Sequence, residues 1–137
     1  MRILLADRDR RVCSALNLLL KCGRDLNVVG ESASVDGLVA QIQALQPDLV
    51  LLDWELPGKP DAALVESLQE LVPSLKIVVL SSHPEAEEEA LRAGVDCFVS
   101  KVDPPESLLA ALDGFVRRHQ AGAEGEYAAC PQVTCRR

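Results

Sequence analysis

Short apolar runs and longer helical stripes alternate along this 137-residue chain. Residues 2–6 (RILLA), 27–31 (NVVGE), 48–53 (DLVLLD), 76–80 (KIVVL) and 96–99 (DCFV) are strand-sized, and most are continuously apolar, the pattern of a sheet covered on both faces. Between them the period lengthens. Val12, Ala15, Leu16, Leu19 and Leu20 make one helical stripe, Val35, Leu38, Val39 and Ile42 a second, and Leu64, Val65, Leu68, Leu71 and Val72 a third. Residues 84–93 predict a short, alanine-rich helix with acids outside, the least firmly packed of the five, and Leu108, Leu112, Phe115 and Val116 predict the last. Asp103 before Pro104 predicts an N-cap with proline in the first turn, Ser82 with Glu85 resembles a capping box, and Gly23 and Gly94 stand where helices should stop.

Five strands alternating with five helices predict an α/β fold, a flavodoxin-like (βα)5 domain. Right-handed crossovers put helices on both faces of a five-stranded parallel sheet, for which the order 2-1-3-4-5 is the leading candidate. The predicted domain covers residues 1–119. Residues 120–137 (QAGAEGEYAACPQVTCRR) have no apolar period and are too few for an output domain, so they are expected to form a tail.

Charge and cysteine content narrow the function classes. A formal charge of −7 argues against a nucleic-acid surface, which needs basic residues to neutralise phosphates, and favours protein partners or a cation. No apolar run approaches the roughly 18 residues of a membrane span, and the amino terminus turns charged too early for a secretion signal. Five irregularly spaced cysteines fit a reduced cytoplasmic protein better than a disulfide framework. Cys130 and Cys135, without a second pair, make a weak case for zinc.

In open parallel sheets ligands bind beyond the carboxyl ends of the strands. There the chain places Asp7 after the first strand, Asp53 at the end of the third, Ser81 after the fourth and Lys101 after the fifth. Any one of these would be unremarkable in a solvated loop; the four types together are a far more specific signal.

The segments ILLADRD, PDLVLLDWELPG, IVVLSS, ALRAGVDCFVSK and DPPESLLAAL, spread in order over residues 2 to about 117, resemble the receiver domain of two-component response regulators. The resemblance implies that Asp53 is the phosphoacceptor, that Lys101 and Ser81 engage the phosphoryl oxygens, and that Ser81 and Phe98 form the switch. It implies Mg²⁺ held by Asp7, Asp53 and the backbone carbonyl of Glu55, with Glu55 and His83 at positions that tune the lifetime of the phosphoaspartate. The implied partners are a histidine kinase or phosphotransfer protein and a downstream protein that reads the face of the fourth helix, fifth strand and fifth helix. A homodimer is left open, and neither nucleic acid nor membrane is expected. Such a domain is not an enzyme beyond self-catalysed phosphotransfer and dephosphorylation. Val102 to Glu106 resembles receivers attached to a DNA-binding helix-turn-helix domain, for which these 137 residues have no room.

Two features depart from the family pattern. Most receivers carry adjacent acids after the first strand, whereas here Asp7 is followed by Arg8, at the position of a direct metal ligand. Removing that carboxylate should weaken Mg²⁺ binding. Three readings stay open. Arg8 points to solvent while Asp9 turns in as ligand; or Arg8 pairs with Asp7 or Asp53 and replaces the metal's charge, giving a degenerate, phosphorylation-independent interaction module; or Arg8 is structural and weak metal binding persists through Asp7 and Asp53. The stretch from Ser81 to Gly94 is also about two residues shorter than the family pattern, so the fourth helix should be short or displaced. A nucleotide- or flavin-binding enzyme on the same fold is disfavoured, because no strand-to-helix turn carries a glycine-rich phosphate loop.

Overall fold

In the computed structural model, residues 1–23 and 25–120 and the backbone of 134–135 are described. Strands β1 (Arg2–Ala6), β2 (Asn27–Ser32), β3 (Leu49–Asp53), β4 (Lys76–Ser81) and β5 (Cys97–Ser100) alternate with helices α1 (Arg10–Leu20), α2 (Val35–Leu45), α3 (Ala62–Leu71), α4 (Glu87–Ala93) and α5 (Pro105–Gln120). The five strands pair in parallel in the order β2-β1-β3-β4-β5, as the alternation predicts. A further two-residue strand, β6 (Thr134–Cys135), pairs antiparallel with β5, so part of the stretch expected to be a plain tail joins the sheet edge. Two residues carry no readable period, and the sequence could not have announced them. The zinc expectation involves Cys130, outside the described residues, and a Cys135 side chain likewise outside them.

Period-two alternation sorts the strand side chains between two cores. Leu4, Val50, Leu52, Val79 and Phe98 pack on one face with Leu38 and Ile42 of α2, Leu64, Val65 and Leu68 of α3 and Ala90 of α4. Ile3, Leu5, Leu49, Leu51, Val78 and Val99 pack on the other with Cys13 and Leu20 of α1 and Leu108, Leu112 and Phe115 of α5. Because β3 is buried along its full length, it holds Asp53 on a rigid support.

The helix ends follow their local chemistry with two exceptions. Asp9, Ser34 and Asp61 cap α1, α2 and α3 by accepting backbone N–H groups, and Gly94 ends α4 at φ 103°. The expected capping box at Ser82 and Glu85 does not form: a 3-10 turn over Pro84–Ala86 precedes α4, with His83 before it, and Ser82 bonds elsewhere. Helix α5 starts at Pro105, one residue later than Asp103–Pro104 suggested. The fourth helix has only seven residues, in keeping with its short connection.

Gly58 controls how the loop after β3 leaves the site. Its φ is +102°, and an added Cβ would lie 2.7 Å from Val35 Cβ, while the neighbouring Pro57 carbonyl accepts the Val35 N–H at 2.9 Å. Gly58→Ala therefore combines strain with overlap, and should cost about 2 kcal/mol in urea unfolding. A loss under about 0.5 kcal/mol, ordinary for surface substitutions, would show that the loop yields freely.

Candidate phosphoacceptor site

Strand register assembles the site. Ala6 is level with Leu52, so Asp7 and Asp53 come next on adjacent strands; Ser81 is level with Ser100, so Lys101 lies one residue beyond the edge. Backbone bonds continue past the strands and fix these positions: Asp7 N–H donates to Ser32 O at 3.0 Å, Trp54 N–H to Leu80 O at 3.0 Å and Lys101 N–H to Ser81 O at 2.8 Å.

The two aspartates are each 5% exposed. Lys101 Nζ donates to Asp7 Oδ2 at 2.9 Å and lies 3.4 Å from Asp53 Oδ2. Asp7 Oδ1 accepts the Asp9 N–H at 2.8 Å, and Asp53 Oδ1 accepts the Glu55 N–H at 3.0 Å. Behind Asp7, the Cys13 thiol donates to its carbonyl at 3.5 Å. That thiol is pushed up to about 11, by burial first and then by the charges of Glu31 and Asp7, so it remains protonated.

Two carboxylates facing one ammonium leave the pocket with a single negative charge. Burial raises Asp53 above the ordinary carboxylate value, outweighing the Glu55 amide and Lys101, which lower it, while the charges of Asp7 and Glu55 add to the rise. Burial alone would lower Lys101, but the hydrogen bond to Asp7 and the charges of Asp53 and Asp7 leave it raised. The ammonium therefore stays charged across the neutral range.

The raised Asp53 has a consequence for stability. The folded protein holds this proton to higher pH than the unfolded chain, so stability falls as pH rises from the ordinary carboxylate range through the raised value, and the loss is complete above it. Asp53→Asn should accordingly stabilise the protein at pH 7 by on the order of 1 kcal/mol, a common yield when an active-site group is relaxed. The gain should fade below about pH 4, where the carboxyl is protonated in both states. Urea unfolding at both pH values measures it, and a gain of equal size at both would trace it to packing.

The structure brings Asp7, Asp53 and Lys101 into one pocket. Ser81 lies at the edge, but its Oγ donates to Glu55 Oε2 at 2.8 Å and not to Asp53. Phe98 is 3% exposed, in the core shared with α2, α3 and α4. His83 is exposed, with Nδ1 3.5 Å from Glu85 Oε1.

Arg8 departs from the reading in which it pairs with Asp7 or Asp53. Its side chain is exposed and makes no hydrogen bond or ion pair among the described residues. Lys101 supplies the positive charge, because it reaches across from the end of β5, beyond β4, while Arg8 follows Asp7 into solvent. Nor does Asp9 turn inward: its Oδ1 accepts the Arg11 N–H at 2.9 Å as the α1 cap. An aspartate three residues before the Val12 stripe is a legible cap signal. Sequence reading missed the Glu55–Ser81 bond and the bond from Trp54 Nε1 to Glu89 Oε1 at 2.7 Å, both of which depend on tertiary placement.

No group of three or more His, Cys, Asp or Glu side chains among the described residues is arranged as a metal cluster. Magnesium is nevertheless suited to one or two carboxylates completed by water and phosphate oxygens. The buried pair Asp7 and Asp53, with the Glu55 carbonyl, has the right hard-oxygen chemistry for it.

This fold and this cluster define a signalling domain of the receiver type. The sequence matches the response regulator receiver domain over residues 3–113, and the chain belongs to that family. It is 35% identical over 123 residues to the nitrate/nitrite response regulator protein NarL of Escherichia coli, covering 88% of this chain and 54% of that protein. It is 29% identical over 110 residues to the transcriptional regulatory protein DesR of Bacillus subtilis, covering 80% of this chain and 55% of that one. The chain thus spans about half the length of these curated relatives. Among solved structures, the isolated receiver domain of RcsB from Salmonella enterica, determined with phosphomimetic BeF3−, shares the fold at a TM-score of 0.76 and 24% identity, over 85% of this chain and 88% of that one. A CheY-like receiver domain protein from Methanospirillum hungatei superposes at 0.74 and 25% identity, over 90% and 98%. No helix among the described residues is long and apolar enough to cross a membrane.

Proposed function

We propose that Asp53 accepts a phosphoryl group from the phosphohistidine of a histidine kinase or phosphotransfer protein, and that the phosphorylated domain signals by altered contacts with a downstream protein. One observation carries this reading: a buried aspartate at the carboxyl end of the central strand, with the Lys101 ammonium 3.4 Å from its Oδ2 and Asp7 beside it. An Asp53 oxygen attacks phosphorus, the P–N bond to the donor imidazole breaks, and an acyl phosphate forms. The chain positions the nucleophile and meets charge that spreads over the phosphoryl oxygens. Lys101 is placed to take one of them, and Ser81 another once its hydroxyl turns from Glu55. Asp7, Asp53 and the Glu55 carbonyl would hold Mg²⁺, which would further neutralise the phosphoryl charge.

An apolar groove between α1 and α5, lined by Val12, Leu16, Leu19, Pro105 and Leu108, runs up to Lys101, and suits a donor protein that must present its histidine to Asp53. The face of α4, β5 and α5 is the proposed output surface. The alternative of a phosphorylation-independent module, in which Arg8 supplies the metal's charge, draws no support from an exposed Arg8.

Incubation with acetyl phosphate and Mg²⁺ should add one phosphoryl group by intact mass, and Asp53→Asn should abolish it. An adduct that persists in Asp53→Asn, or none on the natural sequence, would sink the proposal.

A further inference from the structure

Glu55 lies two residues beyond Asp53, yet its carboxylate is bound to the end of β4. Oε2 accepts the Ser81 hydroxyl at 2.8 Å and Oε1 accepts the Ser82 N–H at 3.3 Å, with Ser82 Oγ at 3.5 Å from the same oxygen. Ser81 Oγ in turn accepts the His83 N–H at 3.0 Å, and the His83 carbonyl lies 3.3 Å away as a second acceptor within its reach. A hydroxyl has one proton to give. In this arrangement it goes to a charged acceptor, the stronger kind of hydrogen bond. The loop carrying Glu55 is itself anchored, because the Trp54 indole next to it donates to Glu89 of α4.

We propose that Glu55 is a positioning residue that holds the Ser81 hydroxyl away from Asp53 in the resting protein, so that phosphorylation must exchange one anionic acceptor, the Glu55 carboxylate, for another, the phosphoryl oxygen. The proposal rests on the reading of Asp53 as phosphoacceptor. It makes Glu55 a competitor for the hydroxyl that completes the phosphorylated site. The resting state is then stabilised by the same hydrogen-bonding group that the active state needs, and the domain switches only when the phosphoryl group outbids the carboxylate. A glutamate that acted only through its charge would instead repel the incoming phosphoryl group directly, whatever Ser81 did.

The test compares Glu55→Ala and Glu55→Gln, each with and without Ser81→Ala. The readouts are intact-mass phosphorylation by acetyl phosphate with Mg²⁺, and beryllofluoride affinity followed by fluorescence of Trp54, the single tryptophan, which adjoins Asp53. Glu55→Ala should raise beryllofluoride affinity about tenfold, the effect of releasing one hydrogen bond to a charged group. Glu55→Gln, whose neutral amide oxygen still accepts the Ser81 hydroxyl but more weakly than a carboxylate, should gain only part of that. In the Ser81→Ala background Glu55→Ala should gain nothing. Equal gains for Ala and Gln, a gain that persists without the Ser81 hydroxyl, or no gain at all would each overturn the positioning role while leaving the phosphoacceptor reading intact. Absence of an adduct and of beryllofluoride binding in the wild type and every variant would overturn both.

Discussion

Lys101→Met is expected to destabilise the protein by about 3 kcal/mol at neutral pH and to slow phosphorylation of Asp53 by about a hundredfold or more. Lys101 alone among the described cationic side chains contacts both buried carboxylates, at 2.9 Å from Asp7 and 3.4 Å from Asp53. Without it two acids, each 5% exposed, face one another uncompensated. The sign of the pH dependence follows from the protons. With the ammonium gone, the carboxyl pair holds a proton to still higher pH in the folded state, so the variant loses stability as pH rises through the carboxylate range, and its deficit against wild type widens toward pH 7. In the wild type the Lys101 contribution is full at neutral pH, shrinks in acid as its carboxylate partners are protonated, and is lost at alkaline pH as the solution passes the raised value, which lies above the ordinary 10.5. Urea unfolding at pH 4 and pH 7 reads this difference. A deficit independent of pH would assign the loss to packing of the lysine stem, and the charge account would fail.

Arg8→Asp is expected to tighten Mg²⁺ binding about tenfold or more, since cation affinity at such sites is set by the count of ligating charges. Arg8 follows Asp7 at the mouth of the pocket, exposed and with no ion pair among the described residues, so its replacement removes no internal contact. The change exchanges a positive charge at the rim for a carboxylate where most receivers place a metal ligand. Titration of Trp54 fluorescence with Mg²⁺ measures the affinity, and the acetyl phosphate reaction should accelerate in parallel at low Mg²⁺. Unchanged affinity would mean that this strand end cannot deliver a second carboxylate to the ion, and that Asp7 with Asp53 sets its limit.

Much of the site was readable because its parts obey local rules. A continuously apolar five-residue strand that ends in Asp53, repeated in kind at the other strands, is enough to predict a doubly covered parallel sheet and to place Asp7, Asp53, Ser81 and Lys101 along one edge. The fourth-helix expectation also follows from chain length, because the residues between Ser81 and Gly94 must supply both a turn and a helix. Asp9 was weighed only as a metal ligand although its place before the Val12 stripe carries a cap signal, and Ser82 was misread as a cap. The misreading has a physical cause: Ser82 has a better partner in Glu55, brought there from a different strand end.

The sequence by itself determined the order of elements, the two-layer helical cover and the residue types at the carboxyl edge, because these depend on periodicity and on where each apolar run stops. Only the tertiary structure decided how those residues share their charges and protons. Whether the pocket's cation is Arg8 or Lys101, whether Asp9 is a ligand or a cap, and whether the Ser81 hydroxyl faces Asp53 or Glu55 all turn on distances of a few ångströms between segments far apart in the chain. Competing partners at that range differ by the energy of a hydrogen bond or an ion pair, and no local pattern of residues encodes which of them is nearer.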